Sequence, residues 1–219
     1  MRKRIAASIG ILLLFGAVHA NNLNPFQAWS EGEVVLMSGE KIEGLINIDY
    51  KLDIVQCKLE DGSIRAFSPV NVSHFSFFDQ ETKNRRFFAA INFENRYDYE
   101  HKSFFEVIIN GELSVLRKGK YVKRVPVRSG AATNYNVKTI VHHNYYAFTN
   151  DEQKRIRNFR KDVLPMMEEH EDKLKRYIKK HKLNVNELVD QLMVVNYYNY
   201  LGNPEYSTSN QPSVSRSVN

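Results

Sequence analysis

A single cysteine in 219 residues excludes an intrachain disulfide framework and any zinc or iron–sulfur site built on thiolates. Tryptophan also occurs once, glycine 10 times and proline 6 times, which rules out a collagen-like repeat or a Pro/Gly-rich disordered chain. After the first twenty residues no segment approaches the roughly 18 consecutive apolar residues of a membrane-spanning helix. Motifs of catalysis are equally scarce. The chain has no His-Glu-x-x-His, no Asp-x-Asp-x-Asp-Gly calcium loop, no phosphate-cradling Gly-x-x-x-x-Gly-Lys or Gly-x-Gly-x-x-Gly, and no Gly-x-Ser-x-Gly elbow. His142 and His143 are adjacent, so on a strand they point to opposite faces and cannot share one ion. The carboxylates Glu168, Glu169, Glu171 and Asp172 sit among Lys173, Lys175 and Arg176, the mixture of a solvated helix face. The expectation is therefore no cofactor, no metal and no assignable catalytic residue, with the balance leaning away from an enzyme.

What is present is a globular composition, 42% hydrophobic and 26% charged, enough for one or two domains with real cores. The formal charge of +6 invites a nucleic-acid or membrane partner, but its distribution argues otherwise. Met1–Arg4 is basic, Ile5–Val18 is an uncharged run of apolar and small residues, and Val18-His19-Ala20 carries small residues where a signal peptidase reads them. Residues 1–20 thus read as a secretory signal peptide, too short to span a bilayer and with no following cysteine to acylate. Cleavage removes three of the 31 basic residues and none of the 25 acidic ones, leaving an excess of only three. An exported chain, periplasmic, extracellular or outer-surface associated but not a lipoprotein, is the expected form, and nucleic acid is disfavoured as partner.

Residues 21–31 read as a linker and 32–148 as an antiparallel β domain of eight to ten strands. Short apolar or alternating runs there are separated by Ser38-Gly39-Glu40, Asp61-Gly62 and Asn110-Gly111. Asn110-Gly111 is the strongest hairpin signal, because both residues tolerate positive φ. The segment Val35–Ile46, with Gly44 inside a strand, resembles the way a small bent barrel of the SH3 or Sm type is written; a meander or sandwich fits as well, and function follows from neither. Cys57 falls in the alternation Ile54–Leu59, the setting of a small core residue.

At Thr149 the period changes. Thr149-Asn150-Asp151-Glu152 fits a capping box, and Ile156, Phe159, Val163 and Met167 recur at helical spacing. Pro165 should split or kink that helix, and Asn184–Glu187 should start another that ends at Gly202. The expected architecture is thus α+β, with a C-terminal unit of two to three helices over 149–202 and a polar tail over 203–219 too poor in apolar residues to order itself.

The phrases Phe-Phe-Glu-Val-x-Ile-Asn-Gly-Glu-Leu-Ser-Val-Leu-Arg-Lys at Phe104–Lys118, Tyr-Ile-Lys-Lys-His-Lys-Leu-Asn and Tyr-Tyr-Asn-Tyr-Leu at Tyr197–Leu201 resemble uncharacterised secreted or periplasmic proteins of Bacteroidetes-type bacteria. The resemblance implies an envelope or secreted location. That group has no assigned activity, so no functional residue carries over.

Two features suggest contacts. Between Glu112 and Asp151 there is no acidic residue, while Arg117, Lys118, Lys120, Lys123, Arg124 and Arg128 are present with interleaved tyrosines. These six are the candidate anion- or partner-binding residues, set against a plainer reading in which lysines guard an exposed edge strand. The loop 129–136 would flex around a partner. Tyr197, Tyr198 and Tyr200 spread around a helix, so they divide between packing on the β body and facing outward. The leading expectation is a non-enzymatic interaction or structural module of the envelope. Its alternatives are a binder of an anionic polymer or membrane surface through the basic hairpin, and an envelope hydrolase whose residues converge only in three dimensions.

Overall fold

The computed structural model describes residues 29–94, 100–124, 138–150 and 152–206. The expected signal peptide, Arg128, the adaptable loop 129–136 and residues 207–219 of the polar tail lie outside them. The architecture is α+β as expected: a ten-stranded antiparallel sheet followed by a helical unit.

Strands β1 (Ser30–Leu36), β2 (Lys41–Asp49), β3 (Ile54–Lys58) and β4 (Ile64–Phe67) follow one another through tight turns, two of them at the predicted Ser38-Gly39 and Asp61-Gly62. Then β5 (Val72–Asp79) crosses back to pair with β1, and β6 (Asn84–Glu94), β7 (Glu100–Ile109), β8 (Ser114–Arg124), β9 (Lys138–Phe148) and β10 (Gln153–Arg155) extend the sheet. The spatial order is β10-β9-β8-β7-β6-β5-β1-β2-β3-β4. The edges are therefore β4 and β10, and β8 is an interior strand. This corrects the edge-strand reading of the basic segment: β9 pairs with β8 along its whole length, from Ser114↔Phe148 to Arg124↔Lys138.

The sheet forks between β7 and β8. Their pairing runs from Ile109↔Val115 only to Glu106↔Arg117, whereas β7 stays paired with β6 out to Glu94↔Glu100. The tip of the β2–β3 hairpin fills the gap. Asp49 caps that turn by accepting from Lys51 and Leu52 amides at 2.8 and 3.1 Å. Asp53 then accepts from Ser103 Oγ and the Phe104 amide on β7, and from Lys118 Nζ on β8 at 3.2 Å. Tyr50 packs its ring against Gly119, where any Cβ would collide with it, and meets Tyr121 edge-on with centroids 5.8 Å apart.

Two cores result. The first gathers Val34, Ile46, Val55, Cys57, Val72, Phe75, Phe88 and Phe104 inside the β body, with Phe75 and Phe88 stacked at 4.6 Å. Cys57 is fully buried there. The second lies between the sheet's Ile108, Ile109, Leu113, Val115 and Ala147 and the helical unit's Phe159, Val163, Met167, Leu174, Leu192 and Val195.

Two local expectations are revised. Thr149 opens no helix: its hydroxyl accepts from the Glu152 amide and its own amide donates to Glu152 O, closing a hairpin into β10. The first helix, α1 (Phe159–Asp162), is capped by Asn158 instead. Pro165 does break the helix, leaving a 3₁₀ segment, Leu164–His170, before α2 (Glu171–His181); α3 (Leu188–Gly202) follows. Finally, Asn110 and Gly111 are not among the residues with positive φ. The loop spans residues 110–113 because buried Leu113 belongs to the helix-facing core. Gly111 is needed there for space, since a Cβ would strike the Asn199 amide. Among the described residues no helix is long and apolar enough to cross a membrane.

Candidate functional site

The fork concentrates charge. Alternation on three strands brings Arg86 (β6), Glu106 (β7) and Arg117 (β8) onto one face, with Glu106 only 3% exposed. Arg86 donates through Nε and Nη2 to Glu106 at 3.0 and 2.6 Å. Arg117 does the same from the other side, at 2.7 and 2.9 Å. Arg86 also donates to Tyr50 Oη at 3.1 Å and lies 3.6 Å from Asp79. Burial pulls the Glu106 carboxyl upward, but the two guanidiniums outweigh it and hold its pKa below the ordinary value. A carboxylate locked in this way is a structural anion, because both its oxygens are occupied by fixed donors.

Beside this cluster lies a cavity of about 240 Å³, bounded by β1, β2, β5, β6 and β9. Ile46, Ile48, Phe77 and Val141 supply its apolar walls; Ser30, Tyr50, Asp79, Glu81, Arg86 and His143 bring polar groups. His143 sits opposite Gly119 in the register. Burial, reinforced by Arg117, lowers its pKa to about 4, so its ring is neutral at pH 7. Its Nε2 and the Oδ1 of Asn47 are buried without a hydrogen-bond partner among the described residues. Asn47 as a whole is 3% exposed. Apolar walls with a few convergent polar groups are the usual make-up of a small-molecule site.

A second concave surface lies on the helical unit. Tyr198 turns inward, 7% exposed and beside His170, while Tyr197 and Tyr200 turn outward. Tyr177 of α2 stacks on Tyr197 at 4.0 Å, and Tyr200 continues the stack at 6.4 Å. With Met193, Asn196, Pro204, Glu205 and Tyr206 they line an open groove of about 680 Å³. The Tyr206 hydroxyl donates to Asn196 Oδ1 at 3.1 Å and so fixes one wall.

The six basic candidates do not form one surface among the described residues. Arg117 is committed to Glu106, and Lys118 to Asp53 and to the Phe105 ring, 5.3 Å from its centroid. Lys120 and Lys123 are exposed; Arg124 ends β8, and Arg128 lies outside the described residues. Sequence reasoning missed Asn47, Tyr50, Arg86, Glu106 and His143 as a group. They come from five separate strands or turns, and only the sequence signal of a glutamate inside an apolar strand, Phe-Phe-Glu-Val-Ile-Ile at Phe104–Ile109, marked any of them as unusual. No group of three or more His, Cys, Asp or Glu side chains among the described residues is placed to hold a metal ion. Comparison of the chain with protein-family models, curated proteins and solved structures finds no match.

Proposed function

We propose that the chain is an exported, non-enzymatic interaction module of the cell envelope that docks a protein partner on the tyrosine groove of its helical unit. The carrying observation is that groove: Tyr177, Tyr197, Tyr200 and Tyr206 with Met193 and one charged residue, Glu205. Aromatic and methionine enrichment with charge kept out of the centre is the composition of a protein-interface core. Tyr200 is half exposed and stacked, so it offers area with little further loss of freedom on binding. Support for export comes from the basic, apolar and small-residue pattern of residues 1–20. Support for a non-enzymatic role comes from Glu106, the most deeply buried carboxylate among the described residues, being held by two arginines.

The test is photo-crosslinking in the native envelope from position 200, with position 64 on β4 as control. One discrete adduct from 200, lost in the Tyr177→Ala/Tyr197→Ala variant while near-UV circular dichroism of the folded chain persists, is the expected result. Equal, diffuse labelling from both positions would reject the reading.

A second reading rests on exposed Lys120 and Lys123. Binding of an anionic polymer or headgroup surface there would be salt-sensitive and would vanish on reversing both to Glu.

A further inference from the structure

We propose that the tyrosine groove takes its partner as a proline-rich segment in the extended polyproline II conformation, with a basic residue at the end that meets Glu205. This deepens the docking reading of the groove and rests on it.

Three recurrent ways of holding a peptide differ in what they ask of a surface. Strand addition needs a sheet edge, and the groove offers none: its walls come from α2, α3 and the turn at 203–206. An amphipathic helix spends its carbonyls on internal hydrogen bonds and asks for a groove of hydrocarbon. Among the lining residues only Met193 and Pro204 lack a polar group. A polyproline II segment has no internal hydrogen bonds, so its carbonyls need donors while its rings need flat apolar faces. Tyrosine supplies both at once. The hydroxyls of Tyr177, Tyr197 and Tyr200 make no hydrogen bond among the described residues, whereas Tyr206 donates to Asn196.

The spacing agrees. Met193, Asn196, Tyr197 and Tyr200 follow one another at i, i+3, i+4 and i+7 of α3 and so form one stripe, about 10 Å long at 1.5 Å per residue. Three residues of polyproline II, one full turn, cover about 9 Å. Within that length the Tyr197 and Tyr200 rings, 22° from parallel with centroids 6.4 Å apart, offer two platforms for proline rings. Charge then sets the direction. Glu205 is the one charged residue lining the groove, so arginine or lysine is favoured beside the prolines at that end and an acidic residue is opposed.

The experiment titrates the full chain with octaproline carrying one arginine at its start or at its end, and with the same peptides carrying glutamate instead. An alanine-rich helical peptide with one arginine and an amphipathic leucine–lysine helix are the competitors, and the Tyr197 and Tyr200 ring resonances are followed by NMR. An arginine-tagged octaproline is expected to shift them saturably and to bind about tenfold or more tighter than either helix. Tyr200→Ala, at an exposed position, should weaken that affinity about tenfold with the fold retained by circular dichroism. Glu205→Lys should reverse the preference between the arginine and glutamate peptides. Each of five results would overturn the proposal: no saturable shift with octaproline, equal or tighter binding of a helical peptide, unchanged affinity in Tyr200→Ala, retained preference for arginine in Glu205→Lys, or shifts of the same resonances on raising the concentration of the free chain, which would assign the groove to a second copy. A discrete envelope adduct from position 200 without octaproline binding rejects this inference and leaves the docking reading standing; absence of both rejects both.

Discussion

Where β7 and β8 part the protein closes itself with charge, and where they join it closes with hydrocarbon. In the fork, the β2–β3 tip reaches β7 and β8 through Asp53, Tyr50 and the Arg86–Glu106–Arg117 cluster. Towards the β7–β8 loop, Leu113, Val115 and Ala147 pack with Phe159, Val163, Met167 and Leu192. The two closures should respond differently to mutation. Apolar packing loses energy roughly in proportion to the volume removed, whereas a buried ion cluster tolerates removal of all its members far better than removal of one. The helix side has a polar clasp of its own, but a neutral one. Asn199 of α3 accepts from the Leu113 amide at 2.9 Å and donates to Leu113 O at 3.0 Å, tying the helix to the β7–β8 loop.

The largest contrast comes from Glu106→Ala, which leaves the half-buried Arg117 without its carboxylate and Arg86 with only Asp79, 3.6 Å away, and should destabilise the chain by about 3 kcal/mol in urea unfolding. Replacing all three members by apolar residues, Arg86→Met, Glu106→Leu and Arg117→Met, should recover most of that loss. If the triple variant is as unstable as the single one, the fork is not closed by the ion cluster. On the helix side Met167→Ala should cost about 2–5 kcal/mol, with no comparable rescue by a second truncation.

The pH dependence sharpens the comparison at the fork. The His143 imidazole titrates at about 4 in the folded chain against 6.5 in an unfolded one. Above pH 6.5 neither state binds the proton and the residue is silent. As pH falls from 6.5 towards 4 only the unfolded state is protonated, so stability should decline by about 2–3 kcal/mol. In His143→Phe that slope should flatten over the same window; an unchanged slope would place its origin elsewhere. Asn199→Ala should cost about 1–3 kcal/mol through the two orphaned backbone groups of Leu113, and hydrogen exchange at the Leu113 amide should quicken. The smallest effect belongs to Lys120→Glu/Lys123→Glu, expected to leave the urea midpoint unchanged and to alter only retention on a phosphate or heparin matrix.

Much of the fold was legible because it is written in local periodicity. The turns at Gly39 and Gly62, the apolar spacing of Leu174 and Ile178 in α2 and of Leu188, Leu192 and Val195 in α3, and the break at Pro165 all depend on residues close in sequence. Thr149 shows where that logic fails. Its hydroxyl and Glu152 have the spacing of a helix cap, yet the same hydroxyl-to-amide bond also closes a tight turn, and pairing of β10 with β9 decided between the two. At Asn110-Gly111 the expected hairpin forms between β7 and β8, but not through positive φ: the space that Gly111 leaves is taken by Asn199, eighty-eight positions later in the chain.

The scarcities with which the chain is marked retain their meaning. One cysteine excluded an intrachain disulfide from the sequence alone, because such a bond needs two thiols whatever the fold. The order of strands before helices was fixed in the same way, by hydrophobic period. Tertiary structure alone decided that Arg117 and Lys118 spend their charge on Glu106 and Asp53, that Tyr198 turns inward while Tyr197 and Tyr200 turn out, and that Tyr50, Arg86 and His143 line one cavity. Those outcomes depend on a strand crossover and a forked sheet, contacts between residues tens of positions apart that no local pattern encodes.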